Sequence, residues 1–374
     1  MPGRARPSGP RVNVPEVRID QLTGLRGILA PGRAERPDAF APPPVRAKED
    51  ALETCPFCVG REDRTPPEVW AARRGGGAPD SVGWTSRAVP NLYPVLGGGE
   101  LGARASDERG PNPGQPATET GLASSIDPLG ASTRVGEPDL FASSPAGGAH
   151  EVIVHAPEHA TSLCELDDGR FAGAVAAWRE RMRAHADDAA YVHLIVNEGP
   201  DAGASLEHSH AQLYAMRFVP PDLARERERA AAYHQRTMGG HLLGDVATEE
   251  VRRKDRLVAI DDEALLICPW ASRTPFELRV IPRRPAAEFQ LDGETGTAMI
   301  RTALRSLAAL FGTPPQLNLW IRTAPSGAED FCWHVDLVPR LTIRAGFELG
   351  TGVDVNVYPP ERAAADLRSA LDGA

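Results

Sequence analysis

Apolar residues return at every second position in EVIVHAPEH, YVHLIVNEG and HSHAQLYAM, and again in FELRVIPRRP, LNLWIRTAP and HVDLVPRL, which predicts six strands. Between the first and second strand of each trio the period changes. FAGAVAAWRERMRAH and TAMIRTALRSLAAL repeat their apolar positions every three to four residues and so predict amphipathic helices. The order strand, helix, strand, glycine or polar loop, strand therefore occurs twice, in one register: 277 less 151 and 334 less 208 both give 126, linking Glu151 to Glu277 and His208 to His334. Two α+β units that share a register are expected to join their strands into one extended, mostly antiparallel sheet flanked by helices.

The flanks of this repeat read differently. VRIDQLTGLRGILAPGRAERP alternates like a strand and ends in a turn carrying Arg33 and Arg36. Residues 1–15 are rich in proline and arginine and are expected to be unfolded. Residues 97–149 are rich in Gly, Pro, Ser and Ala with few large apolar groups, and are expected to form a flexible surface insertion. The organisation read from the sequence is a first repeat over 16–245, interrupted by that insertion, and a second, degenerate repeat over 246–374.

Composition removes some functions. With 374 residues, 41% apolar and 25% charged, the chain can bury a large core. A formal charge of -10 argues against a nucleic-acid backbone as partner, while small anionic ligands need only a local group of arginines. No stretch reaches the apolar length of a membrane span, and MPGRARPSGPRVNVP lacks the apolar core of a signal peptide, so a cytoplasmic protein with no membrane partner is expected. Five cysteines, two of them in Cys55-Pro-Phe-Cys58, suit a reducing compartment and a metal site better than a disulfide framework.

A CxxC pair can be a redox couple, half a zinc site or two core cysteines. Here CPFCVGREDRTPPEV leads into a polar, proline-marked turn rather than opening a helix, which favours zinc. The candidates for the other two ligands are His150, His155, His159 and His208. His155 alternates with the apolar residues of its strand, as a packed side chain would. His159 follows Pro157 past the strand end, where it can turn toward a metal, and a metal at His208 would fix the strand that aims His210. Cys55, Cys58, His159 and His208 would make a closed four-ligand site with no vacancy for water, hence a structural zinc.

His208 and His210, two apart on a strand, share a face at a Cα separation of roughly 6.6 Å. Two exposed polar strand residues would satisfy that pattern, but the context adds chemistry. Upstream, VNEGPDAGAS supplies Asn197, Gly199, Gly203 and Ser205, a loop whose small residues let backbone approach a phosphate. Downstream, Gln212 lies on the same face with an amide that can donate to a phosphoryl oxygen. These neighbours make a phosphorus-attacking histidine the better reading. The second repeat holds Asp336 where the first holds His210, so only the first can be nucleophilic.

These residues resemble the galactose-1-phosphate uridylyltransferase family of the histidine-triad superfamily. LTGLRGILAPGRAERP is similar to the family's opening strand and arginine turn, CPFC to its first zinc pair, and NLYPVL (91–96) to a strand motif. HAPEH is similar to the third-ligand segment, NEGPDAGASLEHSHAQ to the active-site loop, and CPWASRTPFELRVIP to the start of the second repeat. The family's spacing between third and fourth zinc ligands matches the 49 positions from His159 to His208, which selects His159 over His150 and His155. The fold implied is two tandem histidine-triad-like repeats in one extended sheet. The resemblance further implies that His208 binds zinc, His210 attacks the α-phosphorus of a nucleotide sugar, and Gln212 hydrogen-bonds the covalent nucleotidyl-histidine. Arg33 and Arg36 would face phosphates. Asn91, Asn197, Gly203, Ala204 and Ser205 would line the nucleotide and its α-phosphate, and Phe347 and Glu348 the hexose.

The departures from the family are informative. Of the four ligands of an accessory iron site in some members, Glu226 and His334 remain but Arg322 and Asp336 stand at the others, so no iron is expected. The family's hexose-contacting lysine is replaced by Thr342 and its glutamine by Asp354. GASLEHSHAQ and AGFELGTGVDVNVYPPE resemble the ADP-glucose phosphorylase branch, where adenylyl is transferred. The expected function is ping-pong nucleotidylyl transfer from a nucleotide sugar to a sugar 1-phosphate or phosphate. Uridylyl transfer to galactose 1-phosphate stands first and the adenylyl reading second, ahead of a nucleotide hydrolase or a non-catalytic binding protein. The resemblance also implies a homodimer with active sites near the subunit interface.

Overall fold

The computed structural model describes residues 15–35, 51–97 and 146–373. In chain order the first part holds β1 (Glu16–Ile19), β2 (Arg26–Leu29), the short helix α1 (Ala51–Thr54), β3 (Trp70–Ala72) and β4 (Ser86–Pro90). Next come β5 (Gly148–Val154), α2 (Asp168–Ala186), β6 (Tyr191–Glu198) and β7 (His210–Met216), then α3 (Pro221–Thr237) and α4 (Leu242–Arg253). The second half runs through β8 (Leu257–Ile260), β9 (Ala264–Ile267), β10 (Leu278–Pro282), α5 (Thr297–Phe311), β11 (Leu317–Arg322) and β12 (His334–Pro339). It closes with α6 (Gly346–Thr351), β13 (Asp354–Asn356) and α7 (Pro360–Asp372).

Ten of these strands form one sheet in the order β3-β4-β5-β7-β6-β11-β12-β10-β9-β8, antiparallel throughout. The units β5-α2-β6-β7 and β10-α5-β11-β12 have the same element order and meet at β6 and β11. The protein is thus α+β, with one extended antiparallel sheet flanked by helices, as the periodicity predicts. β1, β2 and β13 make a separate three-stranded sheet.

The two faces of the large sheet differ because strand residues alternate. One face carries Ile153, Leu194, Leu213, Leu278, Leu319 and Leu337, all fully buried, beneath Trp178 and Met182 of α2 and Ile300, Leu304 and Leu307 of α5. Burying a side chain of this size contributes about 1.5–3 kcal/mol, so this layer is the principal core. α2 starts where Asp167 caps it, the carboxylate accepting from the Arg170 N–H at 2.8 Å. The opposite face carries His150, His210, Gln212, Tyr214, Asn197, Asn318, Trp320, Arg322, His334, Asp336 and Arg279, since the register pairs these positions across the strands. His210, Gln212 and Asn197, named from the sequence, lie on that face.

Some local expectations change. VRIDQLTGLRGIL is a hairpin rather than one strand, because the Asp20 carboxylate takes the Thr23 N–H and hydroxyl (2.7 and 2.8 Å) and Gly24 turns the chain at φ +70. NLYPVL is a loop after β4: Asn91 Oδ1 takes the Tyr93 N–H at 2.8 Å, and Pro94 has none to offer a ladder. Residues 1–14 and 98–145, covering most of the predicted N-terminal tail and insertion, lie outside the described residues. Gly148 and Ala149 already belong to β5, and the Gly97 N–H donates to the Ala146 carbonyl at 2.9 Å. The expected division after residue 245 falls inside α4. No helix among the described residues is long and apolar enough to cross a membrane.

Candidate active site

Cys55, Cys58, His159 and His208, named from the sequence, converge with all their ligand atoms within 4.8 Å of one another. Cys55 Sγ lies 3.5 Å from His208 Nδ1, and Cys58 Sγ lies 3.4 Å from His159 Nδ1 and 3.8 Å from His208 Nδ1. Tetrahedral zinc with Zn–S of about 2.3 Å and Zn–N of about 2.0–2.1 Å sets such S···N edges at roughly 3.5 Å, so the donor set fits that ion. The surroundings prepare it. His208 Nε2–H donates to the Ala156 carbonyl (2.9 Å), leaving Nδ1 bare toward the cluster. The Val59 N–H donates to the Pro157 carbonyl (3.0 Å), tying the cysteine loop to the segment that carries His159. Burial and the neighbouring Cys55 push the Cys58 thiol up to about 11, a shift that a cation among the sulfurs would reverse.

The other two candidate ligands are elsewhere. His155 points to the helix face, fully buried, where its Nε2 accepts from Trp178 Nε1–H (3.0 Å) and its Nδ1 meets Ser209 Oγ (2.9 Å). His150 belongs to the histidine-rich face of the sheet. Its Nε2 lies 3.1 Å from Gln212 Oε1 and 3.1 Å from Asn91 Nδ2, and its ring stacks on Tyr214 at 4.2 Å.

His210 opens β7. Its Nδ1–H donates to the His208 carbonyl (2.7 Å), so Nε2 keeps its lone pair free. Burial holds the ring below the ordinary imidazole range, which keeps it neutral at pH 7. Phe57, from between the two cysteines, packs edge-on against both histidines, with centroids 5.3 Å from His210 and 6.1 Å from His208. The metal-type cluster and the free imidazole are therefore one packed unit. Gln212 follows on the same face, its carbonyl oxygen also met by the Tyr214 hydroxyl at 2.8 Å.

The loop before β7 is shaped for close approach. Gly203, left-handed at φ +88, closes a short turn through its N–H to the Pro200 carbonyl, and the Ala204 N–H reaches back to the Gly199 carbonyl (3.1 Å). Gly203 and Ser205 are exposed, and Asn197 lies beneath, within reach of a Cβ at Gly203 (3.9 Å). Asn91 is joined to the same face through His150.

The remaining predicted residues make contacts of their own. Arg33 is exposed in a short 3-10 turn after β2, next to β13 through the bond from the Ala30 N–H to the Asn356 carbonyl (2.8 Å). Phe347 is 50% exposed on α6, where Glu348 accepts from the Ala345 N–H. Among the described residues neither Arg33, Phe347 nor Glu348 makes a hydrogen bond or ring contact with the His210 group, and Arg36 lies outside the described residues. Sequence reading missed Phe57, Tyr214 and His150 as neighbours of the imidazole. Only Tyr214, two beyond Gln212 in the same alternation, left a legible signal.

At the equivalent place in the second half, Asp336 receives a bidentate pair from Arg279 (2.6 and 3.1 Å). Arg322 lies 3.3 Å from Glu226. Fully buried His334 sits among these groups, and burial with the adjacent Arg279 lowers it to about 3. Guanidinium groups thus fill a site whose first-half counterpart holds His208 and His210.

Residues 124–220 match the family described as Galactose-1-phosphate uridyl transferase, N-terminal domain. An ADP-glucose phosphorylase from Arabidopsis thaliana is 28% identical over 366 residues, covering 95% of this chain and 92% of its own length. A galactose-1-phosphate uridylyltransferase from Cryptococcus neoformans is 28% identical over 271 residues, 66% of this chain and 71% of its own. Among solved structures, an Arabidopsis thaliana ADP-glucose phosphorylase with bound ADP-glucose superposes with a TM-score of 0.70 at 25% identity, covering 95% of this chain and 99% of that one.

Proposed function

We propose that this chain, similar over residues 124–220 to the galactose-1-phosphate uridylyltransferase family and over nearly its whole length to an ADP-glucose phosphorylase, transfers a nucleotidyl group from a nucleotide sugar through a covalent intermediate on His210. The observation that carries the reading is the His210 ring: neutral, with Nδ1–H held by a carbonyl and Nε2 free beside a glycine loop and an amide. In the first half-reaction Nε2 donates its lone pair to the α-phosphorus. The bond from that phosphorus to the bridging oxygen breaks, and its electron pair leaves with the sugar 1-phosphate. A phosphate oxygen of the acceptor then displaces the histidine and takes the nucleotidyl group. Gln212, Asn197 and Ser205 supply donors to the phosphoryl oxygens, where positioned charge and dipoles do most of the work, while Gly203 and Ala204, whose N–H groups are engaged within the turn, leave room for close approach.

Two donors are in view. The relatives named uridylyltransferase support UDP-glucose with galactose 1-phosphate as acceptor. The whole-length match to an ADP-glucose phosphorylase specifically favours ADP-glucose with inorganic phosphate.

Zinc is the metal proposed for Cys55, Cys58, His159 and His208, in a structural role that ties the cysteine loop to the β7 histidines. The family resemblance is the support for a homodimer in which Arg33, Phe347 and Glu348 reach a partner's site. A reducing, cytoplasmic setting suits the free thiols.

Incubation with radiolabelled ADP-glucose or UDP-glucose alone tests the chemistry. Label should accumulate as an acid-labile adduct in the wild type and be lost in His210→Asn; equal labelling of both proteins would falsify the assignment.

A further inference from the structure

The β6–β7 register, extended one step beyond Val196 and Ala211, sets Asn197 opposite His210, and across its other edge Asn197 pairs with Asn318 of β11. His210, Asn197 and Asn318 therefore form a row on one face of the sheet, spaced by the strand separation of roughly 5 Å. An amide beside a phosphorus-attacking imidazole helps only if it presents its N–H groups to the phosphoryl oxygens. Presenting its oxygen would set a negative end against them.

Asn318 decides which end is presented. Its Nδ2 lies 2.7 Å from the Ala202 carbonyl and 2.8 Å from Asn197 Oδ1. A backbone carbonyl can only accept, so the Asn318 group facing it must be the NH2. The second hydrogen of that NH2 then needs an acceptor, and Asn197 supplies its oxygen. The Asn197 NH2 is left on the side of the exposed Gly203 turn.

The same strand approach grips the loop itself. Gln316 accepts from the Asp201 N–H (2.7 Å) and donates to the Asp201 carboxylate (3.0 Å). Gly199, at φ +87, leaves room for it, since a Cβ there would stand 2.4 Å from Gln316 Cγ.

We infer that Asn318, supplied by the second half of the chain, is a positioning residue for the first half's site: it locks the Asn197 amide as an N–H donor beside His210. This rests on the nucleotidyl-transfer reading, and it gives the degenerate half a part in the reaction. Orientation by a single hydrogen bond is worth up to about tenfold in rate.

Single-turnover labelling by ADP-glucose and UDP-glucose, with calorimetric affinity for each, tests it on the full-length protein. Asn318→Ala should slow adduct formation about tenfold while leaving the melting temperature within a few degrees. Asn318→Asp, which faces acceptors toward both Ala202 and Asn197 and turns the latter over, should lose at least as much. Asn318→Ser, which keeps a donor, should recover part of the loss. In an Asn197→Ala background the Asn318→Ala penalty should shrink to about threefold or less, because the group it orients is gone. A penalty undiminished in that background would mean that Asn318 only scaffolds the loop and would overturn the inference, as would wild-type rate and affinity in Asn318→Ala. If the wild type forms no adduct, the chemistry proposed for His210 falls. The inference is then judged on affinity, where the same loss and the same dependence on Asn197 are required.

Discussion

Asp336→Asn tests whether the second half is held by its buried charges. Asp336 is 0% exposed and receives two hydrogen bonds from Arg279, itself buried, with Arg322 and Arg273 about 4 Å away. Burial alone would raise its pKa, but Arg279 and the charges around it bring the carboxylate well below its usual range. The substitution keeps shape and removes one negative charge from among three guanidiniums. Breaking a buried pair from one side costs about 3–5 kcal/mol, because the remaining charge is uncompensated. At about 2.1 cal/mol/K per residue, 374 residues carry an unfolding entropy near 0.8 kcal/mol/K, so the melting temperature should fall by about 4–6 °C if the chain unfolds as one unit. A depressed folded-state pKa means that the carboxylate's contribution is complete above its unfolded value near 4 and is lost only below that. Asp336 itself therefore adds no pH dependence between pH 6 and pH 8, but Glu226, which burial and the nearby Asp336 hold up to about 7, loses a repulsion in the variant, so the deficit should be somewhat smaller at pH 8 than at pH 6. Arg279→Met with Asp336→Leu, which removes both charges, should recover most of it. Urea denaturation at both pH values, alongside calorimetry, reads these quantities. A single-mutant deficit under 1 kcal/mol, or a double mutant as unstable as the sum of its parts, would refute the reasoning.

Two further outcomes follow from the site. Chelation, or Cys58→Ser, should lower the melting temperature and slow His210 labelling at least tenfold, because Phe57 links the cysteine loop to the imidazole; equal melts with and without bound metal would remove the structural zinc. Mixed refolding of inactive His210→Asn with inactive Arg33→Ala chains should regain about a quarter of wild-type activity, half the random dimers being mixed and each holding one intact site. Mixtures no more active than their parents would rule out a site shared between subunits.

The alternation of apolar positions was enough to place all six core strands and both covering helices, because strand and helix periods are local properties. The metal-type cluster was legible only in part: the residues offered Cys55 and Cys58 with four candidate histidines, and the spacing of the resembled family selected His159 and His208. His150 was not legible, since its place beside Gln212 depends on β5 pairing with β7, and pairing is a property of two strands. Asn318 lies further out of reach. Its role needs the β6–β11 register, between segments more than a hundred residues apart. Polar side chains of the hairpin and of NLYPVL overrode apolar alternation by taking backbone donors for themselves.

The junction of β6 with β11 holds the two halves of the sheet to each other. Five consecutive residue pairs cross it, from Leu317–Glu198 to Ile321–Leu194, and separation would bare a strand edge on each side. The second half carries Asp336 at the register position where the first carries His210, yet it supplies the edge that the first half leans on.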